Sequence, residues 1–143
     1  MQTTHHTETT ESVSNEFPTN TDLRVSQLSA SGKRPRWALA VFSHNEARTI
    51  RAALESIVGA AADHDVAVYV LANGCSDATI DEVHACSASI PDLHLVEIGM
   101  ADKANAWNTF IHDLFSDEQA DDLETWFFMD GDVTLAANAM PLL

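Results

Sequence analysis

Two carboxylates separated by one glycine, Asp130-Gly131-Asp132, follow the apolar run Trp126-Phe127-Phe128-Met129. A short apolar run bounded by polar residues and a glycine predicts a buried strand. Residues two apart on an extended backbone point to the same side, so Asp130 and Asp132 can converge on one hard cation, Mg²⁺ or Mn²⁺. Gly131 leaves the backbone between them bare, which lets a ligand come close. Other polar groups able to contact a ligand stand at Ser43-His44-Asn45, at Asn73 to Asp77 and at Lys103.

The elements that must position these groups alternate between strand and helix. Trp37 to Phe42 is a continuous apolar run, as expected of a strand covered on both faces. Asn45 is suited to cap a helix in which Ile50, Leu54, Ile57 and Val58 recur at helical spacing until Gly59. Val66 to Leu71 repeats the strand. Asn73-Gly74 alone would suggest a hairpin, but Ser76 and Asp77 offer a cap, and Ile80, Val83 and Cys86 continue at helical spacing. A third strand is predicted at His94 to Ile98. A helix from about Lys103 to Phe115 would place Trp107, Phe110, Ile111 and Leu114 on one core-facing side, with Asn108 either a ligand contact or a surface amide. An acidic connection over 116–124 leads to the strand ending at the two acids, and Leu135 to Leu143 reads as the start of another helix. Such alternation favours a parallel sheet whose ligands bind beyond the carboxyl ends of the strands. All the polar stretches would then share one rim.

Residues 1–36 are rich in Thr, Ser, Asn and Glu and end in Lys33-Arg34-Pro35-Arg36. Few large apolar groups are present to offset the entropy of ordering, so a disordered leader is expected, its basic tetrad a solvated flank or a contact for a membrane surface or acidic partner. Over the 143 residues, 22 acids against 7 bases give a formal charge of -15, which argues against a nucleic-acid backbone or an anionic membrane as a general partner. Cys75 and Cys86 imply neither a disulfide framework nor a zinc site. With no signal-peptide pattern and no transmembrane-length apolar run, a cytoplasmic protein is expected.

Four stretches, Val41 to Glu46, Val70 to Thr79, Lys103 to Asn108 and Phe128 to Asp132, resemble in order the motifs of family 2 glycosyltransferases of the GT-A fold. The resemblance implies an α/β domain, a Rossmann-like, mostly parallel sheet with helices on both faces. Residues 37–143 would be its nucleotide-sugar-binding half, with the carboxy-terminal part missing. It further implies transfer of a sugar from a metal-bound nucleoside diphosphate sugar to an acceptor hydroxyl, by direct displacement with inversion. In this comparison Ser43, His44 and Asn45 touch the base, Asn73 reads it, Lys103 lies near the nucleotide, Asp130 meets the ribose, and Asp130 with Asp132 holds the metal. Many relatives carry acids where this chain has Ala72 and Asn73, and often an aromatic at His44, so the nucleotide stays open. The catalytic base of such enzymes follows the acid pair and is expected beyond Leu143.

On the residues alone, Asn45 and Asp77 are also adequate as helix caps, His44 as a loop histidine, and Lys103 as a solvated base. Two rival functions remain at this level. Asp130-Gly131-Asp132-Val133-Thr134 fits the opening of haloacid-dehalogenase-like phosphatases, where the first Asp is a nucleophile, but that motif starts a domain and here it closes one. A non-catalytic nucleotide-binding module, or an inactive remnant, is the other.

Overall fold

The centre of the sheet is set by β2 (Trp37–Ser43), every residue of which is buried. It can be apolar throughout because both of its faces are covered. On one face Leu39 and Val41 meet Ile50, Leu54 and Ile57; on the other Ala38, Ala40 and Phe42 meet Ala106 and Phe110. Burying a side chain such as Leu54 or Ile57 contributes roughly 1.5–3 kcal/mol each. The structure, a computed structural model, describes residues 23–143.

Along the chain, β1 (Arg24–Ser29) and β2 precede α1 (Ile50–Ala60), β3 (Val66–Asn73), α2 (Thr79–Ala85) and β4 (Leu93–Ile98). Next come α3 (Lys103–Asn108), its π-helical continuation Thr109–Asp113, α4 (Asp117–Asp121), β5 (Thr125–Asp130) and a 3₁₀ turn, Met140–Leu142. The sheet order is β1-β4-β3-β2-β5, with β2, β3, β4 and β5 parallel and β1 antiparallel at the far edge. The parallel pairing is what the strand-helix alternation predicted, and the mostly parallel sheet with helices on both faces is the fold that the resemblance implied. From β2 the chain moves outward through α1, β3, α2 and β4. It then returns over the opposite face through α3 to pair β5 with the other side of β2. The carboxyl ends of β2 and β5 therefore flank the point where the winding reverses, the place where open sheets of this kind leave a crevice.

Several expectations are corrected. Residues 1–22 of the expected leader lie outside the described residues, but Arg24–Ser29 within it is a strand paired with β4. Its stability comes from backbone pairing at a sheet edge, which side-chain composition does not report. Ser29 also donates to the Ile90 carbonyl (2.6 Å) and accepts from the Leu93 N–H (2.9 Å). The basic tetrad is engaged by the chain's own acids: Lys33 with Asp65, Arg34 with Asp122, Arg36 with Glu124. All three pairs are largely exposed, so each contributes about 0–1 kcal/mol.

The strand before the acid pair is only half-buried, with Phe128 38 % exposed, because β5 pairs with β2 alone among the described strands. Trp107 and Ile111, expected in the core, are 39 % and 40 % exposed. The helix approaches the sheet through the small residues Ala106 and Thr109 together with Phe110, and this moves the buried stripe away from Trp107. The acidic connection contains α4, capped reciprocally by Ser116 and Gln119. The tail does not start a long helix. Asn138 has φ of +59°, which a right-handed helix excludes, and the segment lies back along α1 through Leu135 N–H to Ser56 Oγ and Asn138 N–H to the Gly59 carbonyl, each 3.0 Å.

Gly74 turns the chain out of β3 with φ of +57°, and a Cβ there would meet Ala101 Cβ and N at 2.8 Å. Both conformation and space exclude a side chain. Gly74→Ala is expected to cost about 1–3 kcal/mol, read as a lowered urea midpoint; an unchanged midpoint would disprove the tight packing of this turn on Ala101.

Candidate functional site

The turn after β2 and the turn after β3 are joined residue by residue. His44 Nδ1 donates to the Asn73 carbonyl (2.7 Å); since a carbonyl only accepts, that nitrogen carries the proton. Asn45, at φ of +50°, accepts from the Ser76 N–H (2.7 Å) and the Asp77 N–H (3.2 Å). The Glu46 N–H donates to Thr79 Oγ1 (2.8 Å), and that buried hydroxyl donates in turn to Asp77 Oδ1. The Ala47 N–H donates to Asp77 Oδ2 (3.1 Å). Asp77 also accepts from the N–H of Thr79, the first residue of α2, while the N-cap position itself is Ala78 and has no side-chain cap. Asn45 does not cap α1, which starts at Ile50 behind Thr49 with no side-chain cap; it ties the two turns instead.

On this base stands a crevice of about 270 Å³ lined by Phe42, Ser43, His44, Glu46, Asn73, Lys103, Asp130 and Asp132. Of the residues singled out from sequence, Ser43, His44, Asn73, Lys103, Asp130 and Asp132 meet here, and Asn45 lies outside the lining with its side chain spent on the neighbouring turn. A larger cavity of about 340 Å³ sits at the amino ends of the strands, with Ile57, Val68 and Ile90 among its walls. The switch-point crevice is the better candidate because it gathers chemical groups from four separate turns.

Asn73 is buried, and its Oδ1 accepts from the Asp102 N–H (3.2 Å), so part of its acceptor capacity goes to holding the start of α3. Asp102 caps that helix through the Ala104 and Asn105 N–H groups. Lys103 on the first turn, neither solvated alone nor free, donates to Asp130 Oδ1 at 2.6 Å and lies 5.7 Å from the centre of the Phe42 ring. The strand ends at Asp130. Gly131 N–H donates to the Phe42 carbonyl (2.9 Å) and Val133 N–H to the Asp130 carbonyl (3.1 Å), so Asp132 stands in a turn and not on the extended backbone predicted for it. Both acids nevertheless border the same crevice.

Glu46 is the site residue that sequence reasoning left without a role. Its Oε2 accepts from Ser43 Oγ (3.1 Å). Burial raises its pKa above 4.5; the Ser43 bond opposes this, and the charges of Asp132 and Asp130 add to it. The available signal was an acid three residues beyond the end of a buried strand. A Cβ on Gly131 would lie 2.2 Å from Glu46 Oε2, so the bare glycine accommodates this side chain of the protein itself.

Three acids face one base here, so the crevice does not attract an anion unaided. Among the described residues no three His, Cys, Asp or Glu side chains are grouped to hold a metal ion by themselves. The hard oxygens of Asp130 and Asp132 fit the alternative mode, in which one or two carboxylates hold Mg²⁺ or Mn²⁺ together with phosphate oxygens and water.

Neither a protein-family model nor a curated protein matches the chain. Among solved structures it is similar to the mannosyltransferase PcManGT from Pyrobaculum calidifontis in complex with GDP-Man and Mn²⁺, with a TM-score of 0.58 and 26 % sequence identity. The match covers 77 % of this chain and 31 % of that one. The chain thus has a glycosyltransferase-like fold, and the phosphatase reading gains nothing from this likeness. Among the described residues no helix is long and apolar enough to cross a membrane.

The Thr79 hydroxyl holds the Asp77 carboxyl below its ordinary value of 3.8. A lowered acid stabilises the fold above that value, and the contribution is lost as pH falls through the lowered one. Asp77→Asn should therefore be less stable than the wild type near neutrality, with the gap closing below about pH 4. Urea midpoints measured across that range test this; a gap independent of pH would refute it.

Proposed function

We propose that residues 37–143 are the donor-binding part of a family 2-like glycosyltransferase of the GT-A type. It would transfer a sugar from a nucleoside diphosphate sugar to an acceptor hydroxyl, with inversion and with dependence on Mg²⁺ or Mn²⁺. The observation that carries this reading is the convergence of Ser43, His44, Asn73, the Lys103–Asp130 pair and Asp132 on one switch-point crevice. The likeness to a mannosyltransferase that binds GDP-Man and Mn²⁺ supports it.

In this reading Ser43, His44 and Asn73 face the nucleoside, with Asn45 acting through the turn it ties. The His44 proton on Nδ1 is committed to the Asn73 carbonyl, and Nε2 accepts from Asn45 Nδ2 (3.5 Å), so both ring nitrogens fix the ring at the rim of the crevice. Asp130 would accept from the ribose and, with Asp132, would hold the metal, which when bound would supply stabilisation of the charge that grows on the departing diphosphate. Lys103 supplies the one positive side chain of the crevice, within reach of phosphate oxygens if it exchanges its bond to Asp130. Glu46 keeps Ser43 in place. No residue of the crevice is assigned as the base that activates the acceptor.

Calorimetric titration with GDP-mannose, in Mn²⁺ and then in excess chelator, tests the reading, with UDP-glucose as a second donor. Wild-type binding is expected to need the metal. Asp132→Ala should weaken it about tenfold or more while the protein remains folded by circular dichroism. Equal binding by Asp132→Ala would remove the metal assignment, and no binding of either donor by the wild type would remove the function.

A further inference from the structure

Beside the crevice, and sharing Phe42, Lys103 and Asp130 with it, runs a groove of about 160 Å³ completed by Trp107, Phe128 and Met129. Its wall is a set of offset rings. Trp107 and Phe128 lie 4.2 Å apart at 26°, Phe42 and Trp107 5.5 Å apart at 28°. Phe110, fully buried, meets Phe128 edge-on at 5.7 Å and holds it from behind. Although packed against one another, Trp107 and Phe128 keep more than a third of their surface open.

The same two elements build the polar and the aromatic halves. On β5, Phe128 and Asp130 are two residues apart and pair with Ala40 and Phe42, so both emerge on one face of the sheet. On α3, Lys103 and Trp107 are four apart, one turn along one side of the helix. A ligand held at Lys103 and Asp130 is thereby led onto the rings of Trp107 and Phe128. An aromatic wall next to the groups assigned to the ribose and the diphosphate is placed to meet the apolar C–H face of a pyranose joined to that diphosphate.

We propose that Trp107 and Phe128 form the platform on which the hexose of the donor packs, an inference that rests on the function proposed above. Trp107 is then a specificity-determining contact to the sugar and not to the nucleotide. The test compares affinities for GDP and GDP-mannose in Mn²⁺, or for UDP and UDP-glucose if only the uridine pair binds. The variants are Trp107→Leu and Trp107→Phe, with Ile111→Ala as a control for an exposed apolar residue of the same helical segment.

Trp107→Leu is expected to weaken the sugar nucleotide about three- to tenfold and leave the bare diphosphate unchanged, whereas Trp107→Phe stays within about twofold for both. Unchanged diphosphate binding also certifies that the variant is folded. Equal weakening of both ligands would overturn the proposal, since the rings would then serve the nucleoside or the fold. So would no weakening of either, or a matching loss in Ile111→Ala. Failure of the wild type to bind any of the four ligands would instead remove the proposed function, and this platform with it.

Discussion

Every residue from His44 to Ala47 bonds to the turn that follows β3, through the Asn73 carbonyl, the Ser76 and Asp77 N–H groups, Thr79 Oγ1 and the Asp77 carboxylate. Parallel strands bring two such turns to one end of a sheet but leave them unconnected, and loops on a sheet rim are ordinarily its most mobile part. Here the bonds convert them into one rigid floor. His44, Glu46 and Asn73 hold their positions because of it, and Asn73 passes the constraint on to α3 through Asp102. The crevice therefore depends less on its lining residues than on Asn45, Asp77 and Thr79 underneath, none of which lines it.

Electrostatics then limits what the floor can bind. Glu46, Asp130 and Asp132 outnumber Lys103 locally, as acids outnumber bases over the whole chain. A field of that sign repels phosphate-bearing ligands that arrive uncomplexed and favours those already neutralised by a cation. The raised pKa of Glu46 follows from the same crowding added to its burial.

The central strands β2, β3 and β4 were legible because runs such as Trp37 to Phe42 have no amphipathic alternative, and their common rim followed from parallel pairing. What escaped reading was set by contacts remote in sequence. β1 exists because β4 offers it an unpaired edge, and nothing in Arg24–Ser29 taken alone announces that. Asn45 has a residue type suited to a helix cap and is used instead by a turn thirty-one positions away. Trp107 is apolar and in helical phase with Phe110, yet the small Ala106 and Thr109 decide which side approaches the sheet. Glu46 was visible as an acid, but its burial belongs to the folded chain.

The meeting of Glu46 with Gly131 carries a consequence for how this chain can vary. The volume that a side chain at 131 would fill is already taken by a carboxylate from the first turn of the rim, with Ile50 and Ser43 close behind. Positions 46 and 131, eighty-five residues apart, thus share one space, and changes at the two cannot have independent effects. A methyl group at 131 is tolerable only where residue 46 is shorter or turned away, and a shortened residue 46 leaves a void that 131 can fill. The residue between the two acids is in this sense constrained by the opposite loop.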